Sequence, residues 1–183
     1  MDAIEEEDMK KILRLFFGIV FVCAGISSFA TSIGTGLIGL VIGLALLFPD
    51  ISKAMTEKRR KDQKAQVPAE NPVTTFTCMV TGTRFECRFP SGKFTDRQQV
   101  LNKLRIGDLV TLKKTEWEGE PAFAVMSTLY GVDIGMIPAN NVSKVAKLYD
   151  QYQIVGKLTE FSAFEVDGTS YTGCSVELDC YDK

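Results

Sequence analysis

The chain of 183 residues contains no histidine, one tryptophan and five cysteines. Without histidine, nucleophile pairs of the Ser-His or Cys-His type are excluded. The cysteines are odd in number and include no C-x-x-C pair, which argues against a disulfide framework and against a compact zinc site. No glycine-rich phosphate loop follows a strand-like segment. We therefore predict that the protein is not an enzyme and uses no cofactor or metal.

Charge is scarce in one long stretch, because Arg14 is the only charged residue between Ile12 and Phe48. A water-soluble domain has difficulty burying so much apolar sequence. A single straight helix of this length would measure about 55 Å, nearly twice the hydrocarbon core of a bilayer. Small polar residues cluster at Ser27–Gly36 and predict a fold-back there. We expect two antiparallel transmembrane helices, Ile12–Phe29 and Ile33–Phe48; the alternative is a buried hairpin of a soluble protein.

Basic residues flank both predicted spans, whereas the turn between them has none. The positive-inside rule then predicts an integral protein of the cell membrane with both termini in the cytoplasm. Pro49-Asp50 is expected to end the second span before a short helix over residues 53–64. In that helix, a basic cluster at the membrane surface is predicted to contact anionic lipid head groups, or only to set topology. The cluster consists of Lys58, Arg59, Arg60 and Lys61.

Two glycines in the second predicted span, Gly39 and Gly43, form a small-xxx-small motif. Glycine allows the backbones of two helices to approach closely. The motif therefore predicts packing of the two helices within one chain. The alternative is self-association of two chains through Gly39 and Gly43.

The remainder of the chain is rich in strand patterns. Residues 1–64 are assigned to the hairpin and basic helix, 65–75 to a proline-containing linker, and 76–183 to a second domain. Strands are predicted at 74–80, 109–112, 122–127, 132–137, 153–161 and 171–178, helices at 95–104 and 142–148, and a turn at Asp167-Gly168. This order predicts an α+β protein in which the helical hairpin precedes a small OB/SH3-like β-barrel with two short helices.

Several pieces of the second domain occur in a distinctive order. They are Val80–Phe85, Arg97-Gln98 with Leu101 and Leu104, Ile106–Leu112, Ala122–Val125 and Gly131–Pro138. Taken together, the region Cys78–Tyr149 resembles the HIRAN domain, a small β-barrel that accompanies helicase-like and nuclease proteins. The resemblance implies DNA association, including capture of a single-stranded 3′ end by an aromatic ring, an arginine and an Asn/Asp stretch. Arg84 and Phe85 stand at the first two positions, whereas Thr115–Pro121 lacks the Asn-Pro-x-Asp pattern.

The charge distribution is compatible with that implication, since residues 73–114 carry a net charge of +5 and residues 115–183 one of −7. Single-strand binding combines a positive groove with stacking rings. The predicted nucleic-acid-binding residues are Arg84, Phe85, Arg97, Lys113 and Lys114. From the residues alone, Arg84 is equally well a surface charge and Phe85 a core ring.

Trp117 lies among three glutamates, Glu116, Glu118 and Glu120. Phosphate would be repelled from such a loop, so Trp117 is predicted either to cap the barrel or to bind a protein partner. The missing Asn/Asp pattern and this acidic loop motivate the alternative function. In that alternative, the domain is a protein-interaction or assembly scaffold at the membrane that has lost DNA binding.

Overall fold

The computed structural model describes residues 3–28, 33–65, 67–92 and 94–183. The chain divides into two compact units, Met1–Arg59 and Arg60–Lys183. The first unit contains α1 (Ala3–Ser28) and most of α2 (Ile33–Lys64), whose last residues belong to the second unit. The predicted hairpin is thus present as two helices, and the centre of its turn, at residues 29–32, lies outside the described residues.

Charge limits the apolar length of both helices. The first turns of α1 carry acidic and basic residues as far as Arg14, and α2 is basic from Lys53 onward. The apolar parts that remain, Leu15–Ser28 and Ile33–Phe48, are each shorter than the ~20 residues needed to cross the hydrocarbon core. Among the described residues, no helix is both long and apolar enough to span a membrane. The predictions of a transmembrane hairpin, a membrane-anchored fold and an integral-membrane localisation are therefore wrong.

α2 runs through Pro49 without interruption. A proline removes one hydrogen bond of the helical ladder and crowds the preceding turn, which is why a break was expected at Pro49-Asp50. The Ser52 hydroxyl donates a 2.9 Å hydrogen bond to the Pro49 carbonyl within the continuing helix. The prediction of a break is wrong, because the other hydrogen bonds of this 32-residue helix stabilise it by more than the one missing bond costs.

Gly43 of α2 lies against α1 within the first unit. A Cβ atom at this position would meet the Val22 side chain at 2.6 Å and the Gly18 carbonyl oxygen at 2.9 Å. Glycine is therefore required here for the two backbones to approach, as predicted for packing within one chain. The surroundings of Gly39 lie outside the described part of α2, and self-association through the two glycines stays a prediction.

The second unit contains one large sheet, one strand pair and two short helices. Its elements after α2 are β1 (Thr74–Val80), β2 (Glu86–Ser91), β3 (Phe94–Asp96), α3 (Arg97–Leu101), β4 (Leu109–Trp117), β5 (Glu120–Ser127), β6 (Asp133–Met136), α4 (Ala139–Gln151), β7 (Gln153–Val166) and β8 (Thr169–Tyr181). Six strands form an antiparallel sheet in the order β1-β8-β7-β4-β5-β6, and β2 pairs with β3. The architecture is α+β with a mostly antiparallel sheet.

The two edge strands of the large sheet approach each other at one point. The N–H groups of Thr81 and Met136 each donate a 2.9 Å hydrogen bond to the other residue's carbonyl. In the part of the chain that the structure describes, this isolated bridge is the sole pairing of the β1 end with β6. A barrel requires a hydrogen-bonded ladder all the way round, so the predicted closed OB/SH3-like barrel is wrong.

The core lies between the large sheet and the two short helices. Alternating burial along β1 places Cys78 and Val80 inside, as its period-2 pattern predicts. The fully buried side chains come from every layer of the unit: Val100, Leu101, Val110, Val125, Ile134, Val145, Leu158, Val176 and Leu178. The two helices therefore contribute apolar side chains to the core that the sheet forms.

Candidate binding groove

A cavity of about 760 Å³ opens at the end of the β4–β5 hairpin. The turn Thr81–Phe85, the end of β6 and the start of α4 also border it. We call this cavity the groove. Its apolar lining comes from Pro121, Ala122, Met136, Ile137, Val142 and Ala146. The volume falls in the range of ligand sites, ~300–1,000 Å³.

Two large aromatic rings line the groove and stay half-exposed. Phe85 is 53% exposed and Trp117 is 52% exposed. An arginine covers each ring: the guanidinium of Arg84 lies 4.9 Å from the Phe85 centroid, and that of Arg88 lies 5.6 Å from the Trp117 centroid. The groove thus combines exposed stacking faces with cations next to them, a pairing that attracts both aromatic and anionic groups.

Lys113 and Lys114, the two predicted binding lysines of β4, lie on opposite faces of the strand, because successive side chains of a strand alternate between its faces. The Lys113 ammonium lies 3.7 Å from the centroid of Phe89 in β2. The Lys114 ammonium is 2.8 Å from Asp150 of α4, and this hydrogen bond lowers the pKa of the Asp150 carboxyl. Lys113 therefore lies beside β2, whereas Lys114 lies beside α4 on the other face of the strand.

Arg97 is buried rather than presented to a ligand, with 3% of its surface exposed. Its Nε donates to Asp133 Oδ2 at 2.8 Å, its Nη2 donates to the same oxygen, and its Nη1 donates to the Gly82 carbonyl at 2.7 Å. Asp133 is fully buried and also accepts from the Phe89 N–H at 2.6 Å. A buried charge needs such partners, so Arg97 supports the turn below Phe85.

Gln98 secures the next carbonyl of the same turn. Its side-chain amide donates to the Thr83 and Thr172 carbonyls, both at 2.9 Å, and accepts from the Thr172 N–H at 2.8 Å. Asp96 caps α3 by accepting from the Gln98 N–H at 2.8 Å. The turn that carries Phe85 is therefore held before any ligand binds, which lowers the entropic cost of binding.

The acidic residues around Trp117 occupy different places in the β4–β5 hairpin. Glu118 and Gly119 form its two-residue turn with φ of 53° and 83°, the backbone typical of a type I′ turn. Glu120 begins β5, pairs directly with Trp117 and lines the groove. Of Glu118 and Glu120, only Glu120 lines the cavity.

The Cys87 thiol on β2 is held neutral. Burial, with a smaller contribution from Asp133, raises the pKa of Cys87 to about 11. Its Sγ lies 3.6 Å from the Asp133 carbonyl oxygen, to which it donates. All five cysteines are free, and the residues that the structure describes include no group of three metal-ligating side chains. A neutral thiol is a poor nucleophile.

The basic cluster that follows the predicted span is only partly exposed. Lys58, Arg59 and Lys61 are exposed, whereas Arg60 Nε donates to Asp108 Oδ1 at 2.8 Å and its Nη2 donates to the Lys103 carbonyl at 3.0 Å. Contact of Lys58, Arg59, Arg60 and Lys61 with lipid head groups stays a prediction. Arg60 joins the end of α2 to the sheet unit.

The sequence did not predict the apolar residues that line the groove, since Met136 and Val142 reach it only through the tertiary fold. It also did not predict β2, the strand that carries Arg88 to the Trp117 ring. One signal was present in the sequence: Asp133 interrupts an apolar strand, and a buried carboxylate implies a cation nearby. That cation is Arg97.

Comparison with protein-family models and with curated proteins found no match. Among solved structures, this chain is similar to a crystal structure of a protein from Lactobacillus plantarum determined by the Northeast Structural Genomics Consortium. The sequences are 21% identical, and the match covers 60% of this chain and 95% of that chain with a TM-score of 0.38. A similarity at this level supports no conclusion about the fold or function of the present chain.

Proposed function

We propose that the unit Arg60–Lys183 is a non-catalytic module that binds single-stranded DNA through the groove. The observation that carries the proposal is the pair of half-exposed rings, Phe85 and Trp117, that line one apolar cavity with an arginine over each. Unpaired bases stack on such rings, and every base offers a π face. The HIRAN-like order of segments between Val80 and Pro138 supports the same function.

Each group of residues has its own role in this proposal. Phe85 and Trp117 stack bases, and the apolar floor around Met136 excludes water from them. The side chains of Arg84, Arg88 and Lys113 move from the aromatic rings that they cover to the phosphates of the DNA. Bases then stack on the ring faces that these side chains leave. Arg97 and Gln98 position the Phe85 turn without touching the ligand, since their hydrogen bonds go to the protein.

The proposal predicts that Trp117→Ala and Phe85→Ala each weaken binding of a single-stranded oligonucleotide by about five- to a hundredfold. Loss of one base–ring stack costs about 1–3 kcal/mol. The measurement is fluorescence anisotropy with the full chain over a salt series. Phe164→Ala is the matched control, because Phe164 is also exposed but stacks on Tyr171, 5.7 Å away between centroids on the β7–β8 hairpin.

The salt series separates phosphate contacts from stacking. Arg84→Ala should reduce the dependence of affinity on salt by the equivalent of about one phosphate contact. Lys147→Ala, an equal change of charge on the exposed side of α4, should leave that dependence unchanged. Absence of binding at low salt, or equal effects of Phe164→Ala and Trp117→Ala, would contradict the proposal.

A second candidate function is binding of a protein partner, which the mostly apolar lining of the groove favours. Arg97 and Glu120 are the charged residues among those that line the groove, and most of the others are apolar. Such a cavity also accepts an apolar side chain of a partner protein. Cross-linking of the full chain in a native extract, compared with Trp117→Ala, tests this function. If no cross-linked partner depends on Trp117, protein interaction at the groove is rejected.

A further inference from the structure

We infer that Glu120 makes the groove selective for bases that carry an exocyclic amino group over bases with a carbonyl in the same position. This inference rests on the proposed function, because it concerns which bases the groove accepts. It assigns Glu120 a specificity role: its carboxylate accepts a hydrogen bond from the edge of a base that is stacked on Trp117.

The hairpin fixes Glu120 beside the indole. Glu120 is paired directly with Trp117 across the two strands, so the two side chains leave the sheet on the same face. Directly opposed residues have Cβ atoms about 4.5–5.5 Å apart. The two-residue turn between them, with positive φ at Glu118 and Gly119, fixes the pairing register of β4 and β5 at this point. A planar group lying on the Trp117 ring therefore directs an edge toward the Glu120 carboxylate.

The Glu120 carboxylate has no partner among the residues that the structure describes. Two buried acids of the unit are engaged, Asp133 with Arg97 and Asp108 with Arg60. Glu120 makes no hydrogen bond or ion pair of this kind, although it lines the groove. An ionised carboxylate can accept but not donate hydrogen bonds. It therefore offers a free acceptor to whatever enters the cavity.

The other polar side chains that line the groove do not discriminate in this way. The Thr81 hydroxyl already donates to the Met136 carbonyl at 3.2 Å. The Ser143 hydroxyl can both donate and accept, so it suits either kind of base edge. The guanidinium of Arg97 is committed to Asp133 and to the Gly82 carbonyl. Selectivity between donor and acceptor edges therefore falls to Glu120.

The chemistry of the bases sets the direction of the preference. Cytosine presents an N4 amino donor, and glutamate is suited to accept from it. Uracil presents the O4 carbonyl at the same place, and two acceptors facing each other repel. The negative charge also disfavours a phosphate beside Glu120, so that the backbone lies toward Arg84. Both effects depend on a charge that Glu120→Gln removes.

The test compares short single-stranded oligomers of deoxycytidine and deoxyuridine, whose bases differ in the group at position 4 and in the proton that uracil carries on N3. The full chain is titrated with each by fluorescence anisotropy at mildly alkaline pH, where cytosine is unprotonated. We expect the wild type to bind the cytidine oligomer at least about tenfold more tightly, which corresponds to one hydrogen bond to a charged group. Glu120→Gln should bring the two affinities within about twofold, because an amide both donates and accepts.

Glu118→Gln is the matched control, since it removes the same charge from the adjacent turn, which does not line the groove. It should keep the full preference. Equal affinity of the wild type for the two oligomers, or equal effects of Glu118→Gln and Glu120→Gln, would overturn the inference while leaving single-strand binding intact. Binding of neither oligomer would overturn the proposed function together with the inference, so the two failures are distinguishable.

Discussion

Arg97→Met is expected to lower the free energy of unfolding by about 3–5 kcal/mol, the cost of removing one partner from a buried ion pair. Asp133 is fully buried, so without Arg97 its charge would face the core with only the Phe89 N–H to stabilise it. Methionine keeps much of the volume of arginine, which limits the contribution of a cavity. The Gly82 carbonyl would lose its donor as well.

Urea denaturation of the full chain, followed by Trp117 fluorescence and circular dichroism, measures this loss. Arg88→Met is the control, because Arg88 is exposed and only covers the Trp117 ring; its effect should stay below about 1 kcal/mol. The double variant Arg97→Met, Asp133→Leu should recover part of the stability, since no buried charge is left unpaired. A loss of stability no larger than that of Arg88→Met would show that the pair does not hold the turn.

Gly135→Ala is expected to destabilise the sheet unit by about 3 kcal/mol, because the new methyl group has no room. A Cβ at Gly135 would lie 2.5 Å from the Thr81 carbonyl oxygen, the acceptor in the bridge between the β1 end and β6. The backbone must move there and the bridge must open. Thr81 and Met136 also line the groove, so oligonucleotide affinity should fall with stability.

Gly92→Ala separates the steric effect from the conformational one. Gly92 has a φ of +59°, yet no atom lies within 4 Å of a Cβ built there. Alanine at this position should cost about 1–2 kcal/mol, the strain of a left-handed backbone alone. Thermal unfolding of the two variants beside the wild type makes the comparison. If Gly135→Ala costs no more than Gly92→Ala, close approach of the strands is not what requires glycine at 135.

The elements with a clear apolar period were predictable from sequence. β1 begins and ends where its alternating pattern does, at Thr74 and Val80. The turn at Asp167-Gly168 is confirmed, since both residues have positive φ and asparagine, aspartate and glycine tolerate that backbone. In these places local preference and tertiary packing favour the same structure.

Other elements depend on contacts that no local pattern records. β2 contains Pro90 and mostly exposed residues, so its sequence reads as a loop. β4 extends past Leu112 through polar residues because the facing strand β5 supplies the pairing. For the same reason the groove was only half predictable: Phe85 and Trp117 were singled out, whereas the role of Arg97 follows from Asp133, 36 positions away.

The position of β8 in the sheet has a consequence for how the chain folds. β8 lies between β1 and β7, and Thr74 of β1 pairs with Cys180, 106 positions later. During synthesis β1 therefore leaves the ribosome long before its partner strand β8 is made. The backbone hydrogen-bonding groups of β1 stay unpaired with β8 until then. The chain loses entropy when so long a loop closes, and this loss precedes the gain from strand pairing. Folding is therefore slow. Since the β7–β8 hairpin is local in sequence, we expect it to form first and β1 to add to it last.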